Sequence, residues 1–227
     1  MPSLSQLLTE HRHLLVFDAA STRLQVGLLQ RVAPEIWRTT ADEAGTGIFP
    51  HTEELLRQTC LRLDDIGAFI YCEGPGSMLG VRTVAMALRT WQVLQPRPAF
   101  AYQSLAVAGY FEWLQNGRRD FAVIADARRE TWHRQSVRAD SALSPLQRVP
   151  VAALGDGEIV TPENFRAWAT PPRAVKTCSY DLAKIFPTLK AGDFFRMTET
   201  PDAFQHEAPE YKKSPAQIHS IETADKK

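Results

Sequence analysis

The stretch Glu73-Gly74-Pro75-Gly76-Ser77-Met78-Leu79-Gly80-Val81-Arg82 joins a short apolar run to a helical one. The run before it, residues 66–72, is apolar and bounded by a turn signal, which predicts a buried strand. Residues 79–94 predict a helix. Glycines and a proline at a strand-to-helix turn permit a tight bend with its amides turned outward. Such a bend can hold an anion, or it can let another backbone dock closely, and the motif alone leaves both open. It lacks Gly-Lys-Ser/Thr, the spacing of a GxGxxG loop and a Gly-x-Ser-x-Gly nucleophile elbow.

Outward from the turn, the helix carries two stripes. Val81, Val84, Ala85, Leu88 and Trp91 recur at helical spacing and are assigned to the core. Leu79, Thr83, Met86, Ala87, Thr90 and Leu94 form a second, mostly small or flexible stripe facing elsewhere. A helix apolar on two faces is either fully buried or shared with a partner.

The 227 residues hold one large domain or two smaller ones, and 26 Lys and Arg balance 26 Asp and Glu. That balance argues against bulk attraction to nucleic acid or an anionic membrane. Cys60, Cys72 and Cys178 form no metal pattern, and burial as free thiols is expected for Cys60 and Cys72. With no secretory leader or membrane-length apolar span visible, a cytoplasmic location is expected.

One unit occurs twice. Residues 13–19 predict a strand containing Asp18, followed by the turn Ala20-Ser21-Thr22-Arg23 and a returning strand at 24–30. Residues 121–125 predict a strand leading to Asp126, then the turn Ala127-Arg128-Arg129-Glu130 and a strand at 131–138. Between them come a helix at 52–63, the strand and helix around the Gly-Pro-Gly turn, and a stop at Pro96-Arg97-Pro98. A short strand follows at 100–102, then a helix capped by Ser104 and closed at Gly117. Later, helices at 162–168 and 180–186 flank a strand at 174–178. Residues beyond Thr200 turn polar, with a loose tail at 218–227. The class is α/β with mixed sheets.

Val16-Phe17-Asp18-Ala19-Ala20-Ser21-Thr22, the Gly-Pro-Gly-Ser block with Gly80-Val81-Arg82, and Ile124-Ala125-Asp126-Ala127-Arg128-Arg129 together resemble the TsaB (YeaZ) family. Its members are accessory subunits of bacterial tRNA threonylcarbamoyladenosine synthesis. The resemblance covers residues 14–138, with a weaker echo at Ala208-Pro209-Glu210-Tyr211 and a likeness at His51-Thr52. It implies an actin-like, Hsp70-like (ASKHA) fold of two pseudo-duplicated lobes, here divided as 1–98 and 99–227. It implies dimerisation with the catalytic subunit TsaD, through helices starting at His51 and Leu79. The partner residues would be His51, Leu55, Leu79, Thr83, Met86, Ala87 and Thr90.

The same resemblance makes Asp18, Ser21, Gly74, Gly76, Ser77, Arg82 and Asp126 candidates for a nucleotide- or phosphate-site remnant. It allows ATP or ADP at the partner junction and implies no other cofactor and no metal. It also implies a TsaE-like ATPase acting through the complex, a homodimer when the chain is alone, and only indirect contact with tRNA. The sequence departs from the family at Met78-Leu79, where Phe-Thr is usual, and at Glu130, where glycine is frequent.

Asp18 and Asp126 are phosphate-site remnants or carboxylates accepting turn amides. Arg82, in the first turn of a helix, pairs with Glu73 or a partner's carboxylate, or faces a nucleotide. Gly155-Asp156-Gly157 reads as a turn, and His11, His13 and His51 do not give the His-x-x-x-His pair of the catalytic paralogue. The pairs Arg118-Arg119 and Arg128-Arg129 offer a modest basic patch. The expectation is a non-catalytic subunit; the alternatives are an ATP-hydrolysing enzyme using both aspartates and, with less support, a peptidase lacking a visible Ser-His-Asp set.

Overall fold

Both aspartate units fold as hairpins. β1 (His13–Asp18) pairs antiparallel with β2 (Leu24–Gln30), and β6 (Phe121–Asp126) with β7 (Thr131–Val137). The computed structural model describes residues 1–117, 119–171 and 173–206. Arg118, the echo at 208–211 and the tail at 218–227 lie outside the described residues.

From each hairpin the same sheet grows. β3 (Ile36–Thr40) extends the first on its antiparallel side, while β4 (Ala68–Gly74) and β5 (Ala99–Gln103) add parallel strands beside β1. In the second, β8 (Gln147–Pro150) lies beside β7, and β9 (Ile159–Pro162) and β10 (Lys176–Cys178) run parallel to β6. The orders β5-β4-β1-β2-β3 and β10-β9-β6-β7-β8 correspond strand for strand. This is the expected actin-like α/β architecture, mixed because hairpins give antiparallel neighbours and crossovers give parallel ones. The first sheet continues past residue 98 through β5, and β11 (Arg196–Thr198) adds an antiparallel edge from late in the chain.

β1 is buried on both faces. Leu15 and Phe17 pack with Phe69 under α2 (Ala44–Gln58) and α3 (Met78–Leu94), around Ile48, Leu55, Leu88 and Trp91. Leu14 and Val16 face the other way, into a core shared with α1 (Leu4–Glu10), α4 (Ser104–Gln115), α5 (Leu182–Ile185) and β6. Period-two alternation thus divides one strand between two cores.

Several expectations are corrected. α2 begins at Ala44 rather than residue 52 and takes in Gly45, Gly47 and Pro50, because its buried face with Ile48 and Leu55 outweighs their poor helix propensity. It stops at Gln58, before the left-handed Cys60 (φ 54°), and Cys60 is exposed rather than buried. Ser104 does not cap α4; its hydroxyl donates to the Pro75 carbonyl at 2.6 Å. No helix forms at 162–168. Asn164 there has φ 63°, its carbonyl accepts from Thr22 N, and the amides of Trp168 and Ala169 go to Asp126. α1 and β3, not anticipated, are a short capped helix and a half-exposed edge strand.

The Gly-Pro-Gly turn docks directly on the Asp18 hairpin. Ser77 N donates to the Ala20 carbonyl at 2.7 Å, and a Cβ on Gly76 or Gly80 would stand 2.3 Å from the carbonyl of Ala20 or Ala19. Close backbone approach therefore requires both glycines, and Gly76 also has φ +151°. Gly80→Ala is expected to cost about 1–3 kcal/mol by overpacking. Gly45→Ala, with nothing within 4 Å of its added methyl, should be neutral or slightly stabilising. Urea unfolding of the two variants checks the contrast.

Candidate functional site

Asp18 ends β1 in the seam between the lobes and is 0% exposed. Its Oδ1 accepts from Ala20 N at 2.9 Å, the turn-amide bond its sequence position suggests. Its Oδ2 accepts two phenol hydroxyls, Tyr102 from β5 and Tyr180 from the second lobe, each at 2.6 Å. Burial raises the Asp18 pKa despite these donors, and pushes both phenols and the nearby Cys72 thiol well above their usual values. Gln25, opposite Asp18 on β2, donates to the Tyr180 carbonyl at 3.0 Å and accepts from Leu182 N at 2.9 Å. Asp18 is thus a sealed junction between lobes, with no face toward solvent.

Asp126 holds the equivalent place in the second sheet under different electrostatics. Its Oδ1 accepts from Arg128 N at 2.6 Å, and its Oδ2 from Trp168 N at 2.6 Å and Ala169 N at 2.7 Å. Partial burial pushes its pKa up, but the three amides outweigh it and the net direction is down. Arg128, Arg129 and Glu130 all lie in the left-handed region, at φ 63°, 51° and 59°. Glycine at position 130 would carry no such cost.

The remaining remnant candidates serve local structure. Ser21 Oγ accepts from Arg23 N, and Ser77 Oγ caps α3 by accepting from Gly80 N. Gly74 and Gly76 shape the turn. Arg82 is exposed and does not pair with Glu73; Arg196 takes that buried carboxylate instead. A cavity of about 290 Å³ opens beside the start of α3, lined by Ser21, Arg23, Ser77, Thr83 and Arg166. The basic patch is largely spent: Arg119 pairs with Glu112 and Glu158, and the Arg128 guanidinium lies 4.4 Å from the Trp168 ring centroid.

On the partner stripe, Leu79 is 78% and Met86 57% exposed, with Thr90 and Leu94 also exposed and Thr83 half-buried. Val93, 84% exposed, joins them. Leu55 and Ala87 are corrected: both are buried in the first lobe's own core. His51 lies after Pro50 within α2 rather than at its start, and its Nε2 pairs with Asp42 Oδ2 at 2.7 Å. Phe49, half-exposed on α2, packs edge-on against Trp91 of α3.

Residues 200–206, where the composition turns polar, strap back over the first lobe. Phe204 N donates to the Glu73 carbonyl at 2.7 Å, Asp202 N to Tyr71 Oη at 3.0 Å, and Arg89 pairs with Asp202. His206 stacks on His133 of β7; burial first, then that neighbour, lower the His133 pKa to about 4.

Two sheets of matching strand order with an aspartate hairpin opening each define a two-lobed actin-like protein. Among solved structures, YeaZ from Pseudomonas aeruginosa shares this fold, with TM-score 0.61 and 19% identity over 78% of this chain and 90% of that one. A Pseudomonas aeruginosa protein described as similar to the peptidase YeaZ aligns with TM-score 0.60 and 17% identity over 78% and 89%. No family model matches the sequence, and no curated protein does. The chain has the YeaZ fold.

Tyr102→Phe and Tyr180→Phe should each cost about 1.5–3 kcal/mol, since each strips one donor from a buried carboxylate. The double variant should depart from additivity because both hydroxyls serve one oxygen; thermal melts of the four proteins check this. The two aspartates should also differ in pH dependence. Asp126, depressed, contributes stability present above the unfolded value of 3.8 and lost as pH falls through its folded pKa. Asp18, raised, contributes in the opposite sense: stability is fully present below 3.8 and falls as pH rises through its folded pKa. Urea unfolding across pH, wild type against Asp126→Asn, should show the acid-side loss attenuated in the variant. Glu130→Gly should raise stability by about 1 kcal/mol by relieving one left-handed residue, read from the same melts.

Proposed function

We propose that the chain is a TsaB-type accessory subunit that pairs with a TsaD-like catalytic subunit and supports threonylcarbamoyl transfer to adenosine 37 of tRNA. The observation that carries this reading is the outer face of α3, where Leu79, Met86, Val93 and Leu94 stand exposed beside Phe49 of α2. Single exposed apolar residues are ordinary, but a contiguous face of them is a docking surface. The YeaZ fold and the sequence motifs supply the kind of partner. On this reading the chain is cytoplasmic, forms a homodimer through the same face when alone, meets tRNA only through the complex and works with a TsaE-like ATPase. Among the described residues, no helix is long and apolar enough to cross a membrane.

A nucleotide at the subunit junction would find Arg23 and Arg166, with the hydroxyls of Ser21 and Ser77, lining the cavity beside α3, along with the carboxylates of Asp42 and Glu43. Such a group would supply phosphate charge for these arginines to hold. The alternative of ATP hydrolysis at Asp18 and Asp126 has less support, because the oxygens of both aspartates are already engaged in internal hydrogen bonds.

Co-purification with the same organism's TsaD-like protein tests the proposal. The wild-type chain should form a stable heterodimer, and Met86→Arg should abolish it while leaving the melting temperature unchanged. A wild-type chain that never binds, with threonylcarbamoyl transfer independent of it, would overturn the reading. ATP turnover by the isolated chain, lost in Asp18→Asn, would favour the enzyme instead.

A further inference from the structure

A second cavity, of about 710 Å³, lies between the lobes away from the α3 face, and its volume is that of a small-molecule site. The end of β5, helix α4, strand β7, the loops at 141–145 and 191–194 and Arg196 at the start of β11 line it. Gln135 of β7 lines it while only 4% exposed. Its Nε2 donates to the Ser144 carbonyl at 3.1 Å, which fixes the amide's orientation, and its Oε1 has no partner among the described residues. An orphan buried acceptor costs about 1–3 kcal/mol, so a native structure that keeps one calls for an explanation.

Glu73, 5% exposed, contributes a carboxylate to the same cavity. Its Oε2 is held by Arg196, whereas among the described residues its Oε1 has only a long 3.4 Å contact from Gln103 Nε2. The cavity therefore offers two buried acceptors with spare capacity. An aromatic wall stands beside them: Tyr110 and Phe194 pack with centroids 5.0 Å apart.

We propose that this cavity binds a small primary amine with an apolar body, its ammonium donating to Gln135 Oε1 and Glu73 Oε1 and its hydrocarbon lying against Tyr110 and Phe194. An ammonium has three donors and no acceptor, which suits a cavity lined by both a carboxylate and an amide carbonyl. A carboxylate ligand would gain no donor from Gln135 Oε1 and would have to compete with Glu73 for Arg196, which also lines the cavity. The site is separate from the α3 face and does not depend on the partner reading.

Isothermal titration of the full chain with phenethylamine, and with 3-phenylpropionate as an anion of similar shape, tests this. Saturable binding of the amine at about 10 μM to 1 mM is expected, with none of the anion. Gln135→Leu should weaken the amine about tenfold or more, and a melting curve verifies that the variant folds. Leu143→Trp, at a half-buried position lining the cavity, reduces the space while keeping both acceptor side chains and should also abolish binding. No saturable binding to the wild type, binding of the anion as tight as the amine, or unchanged affinity in a folded variant would each overturn the proposal.

Discussion

A carboxylate sealed from water between two lobes must be compensated within the protein, and the way Asp18 meets that requirement organises the rest of the molecule. Two phenols and one turn amide surround it, drawn from β5, from residue 180 and from its own hairpin. Buried charge without such partners costs several kcal/mol, so the lobes are tied in one relative position wherever this cluster forms. Gln25 extends the tie by bonding the backbone on either side of Asp181. The Gly-Pro-Gly turn then settles on the same hairpin, where only glycine leaves room for the Ala19 and Ala20 carbonyls.

The duplicated hairpin in the second lobe shows how the same local unit takes on different chemistry. Asp126 keeps its turn amide, but its second oxygen accepts two backbone amides from residues 168–169 rather than phenols. The first aspartate is pushed toward protonation and the second away from it. Both are committed to internal bonds, so the surface that stands out is the outer face of α3. That helix turns Val84, Leu88 and Trp91 inward and leaves Leu79, Met86 and Leu94 outside. The proposed accessory-subunit reading rests on that division.

Much of the plan was legible locally. Strand, aspartate, turn and returning strand are contiguous, and the two-striped helix shows its periodicity directly; the hairpins survive in the structure, and so do the stripes apart from Ala87. The failures are also local in origin. The helix expected from residue 52 starts eight residues earlier, taking in Gly45, Gly47 and Pro50, because its buried face with Ile48, Leu55 and Leu56 outweighs poor propensity. Residues 162–168 read as a helix, but their amides and carbonyls are taken by Asp126 and Thr22. Leu55 belonged to the partner surface on family likeness and Ala87 to the second stripe on helical spacing; both pack in the core, Ala87 three residues from Val84 and four from Trp91 on the inward face.

The sequence by itself determined the hairpins, the tight strand-to-helix turn and the duplication of the unit, because each depends on residues a few positions apart. Tertiary structure alone decided what the polar groups do. Tyr180 reaches Asp18 across 162 positions and Arg196 reaches Glu73 across 123, pairings that no periodicity encodes. Gln135 likewise reads as one polar residue on a strand until its neighbours bury it without an acceptor's partner. Local spacing fixes backbone geometry through sterics and hydrogen-bond reach, whereas the environment of a charge or an amide exists only once distant segments have closed around it.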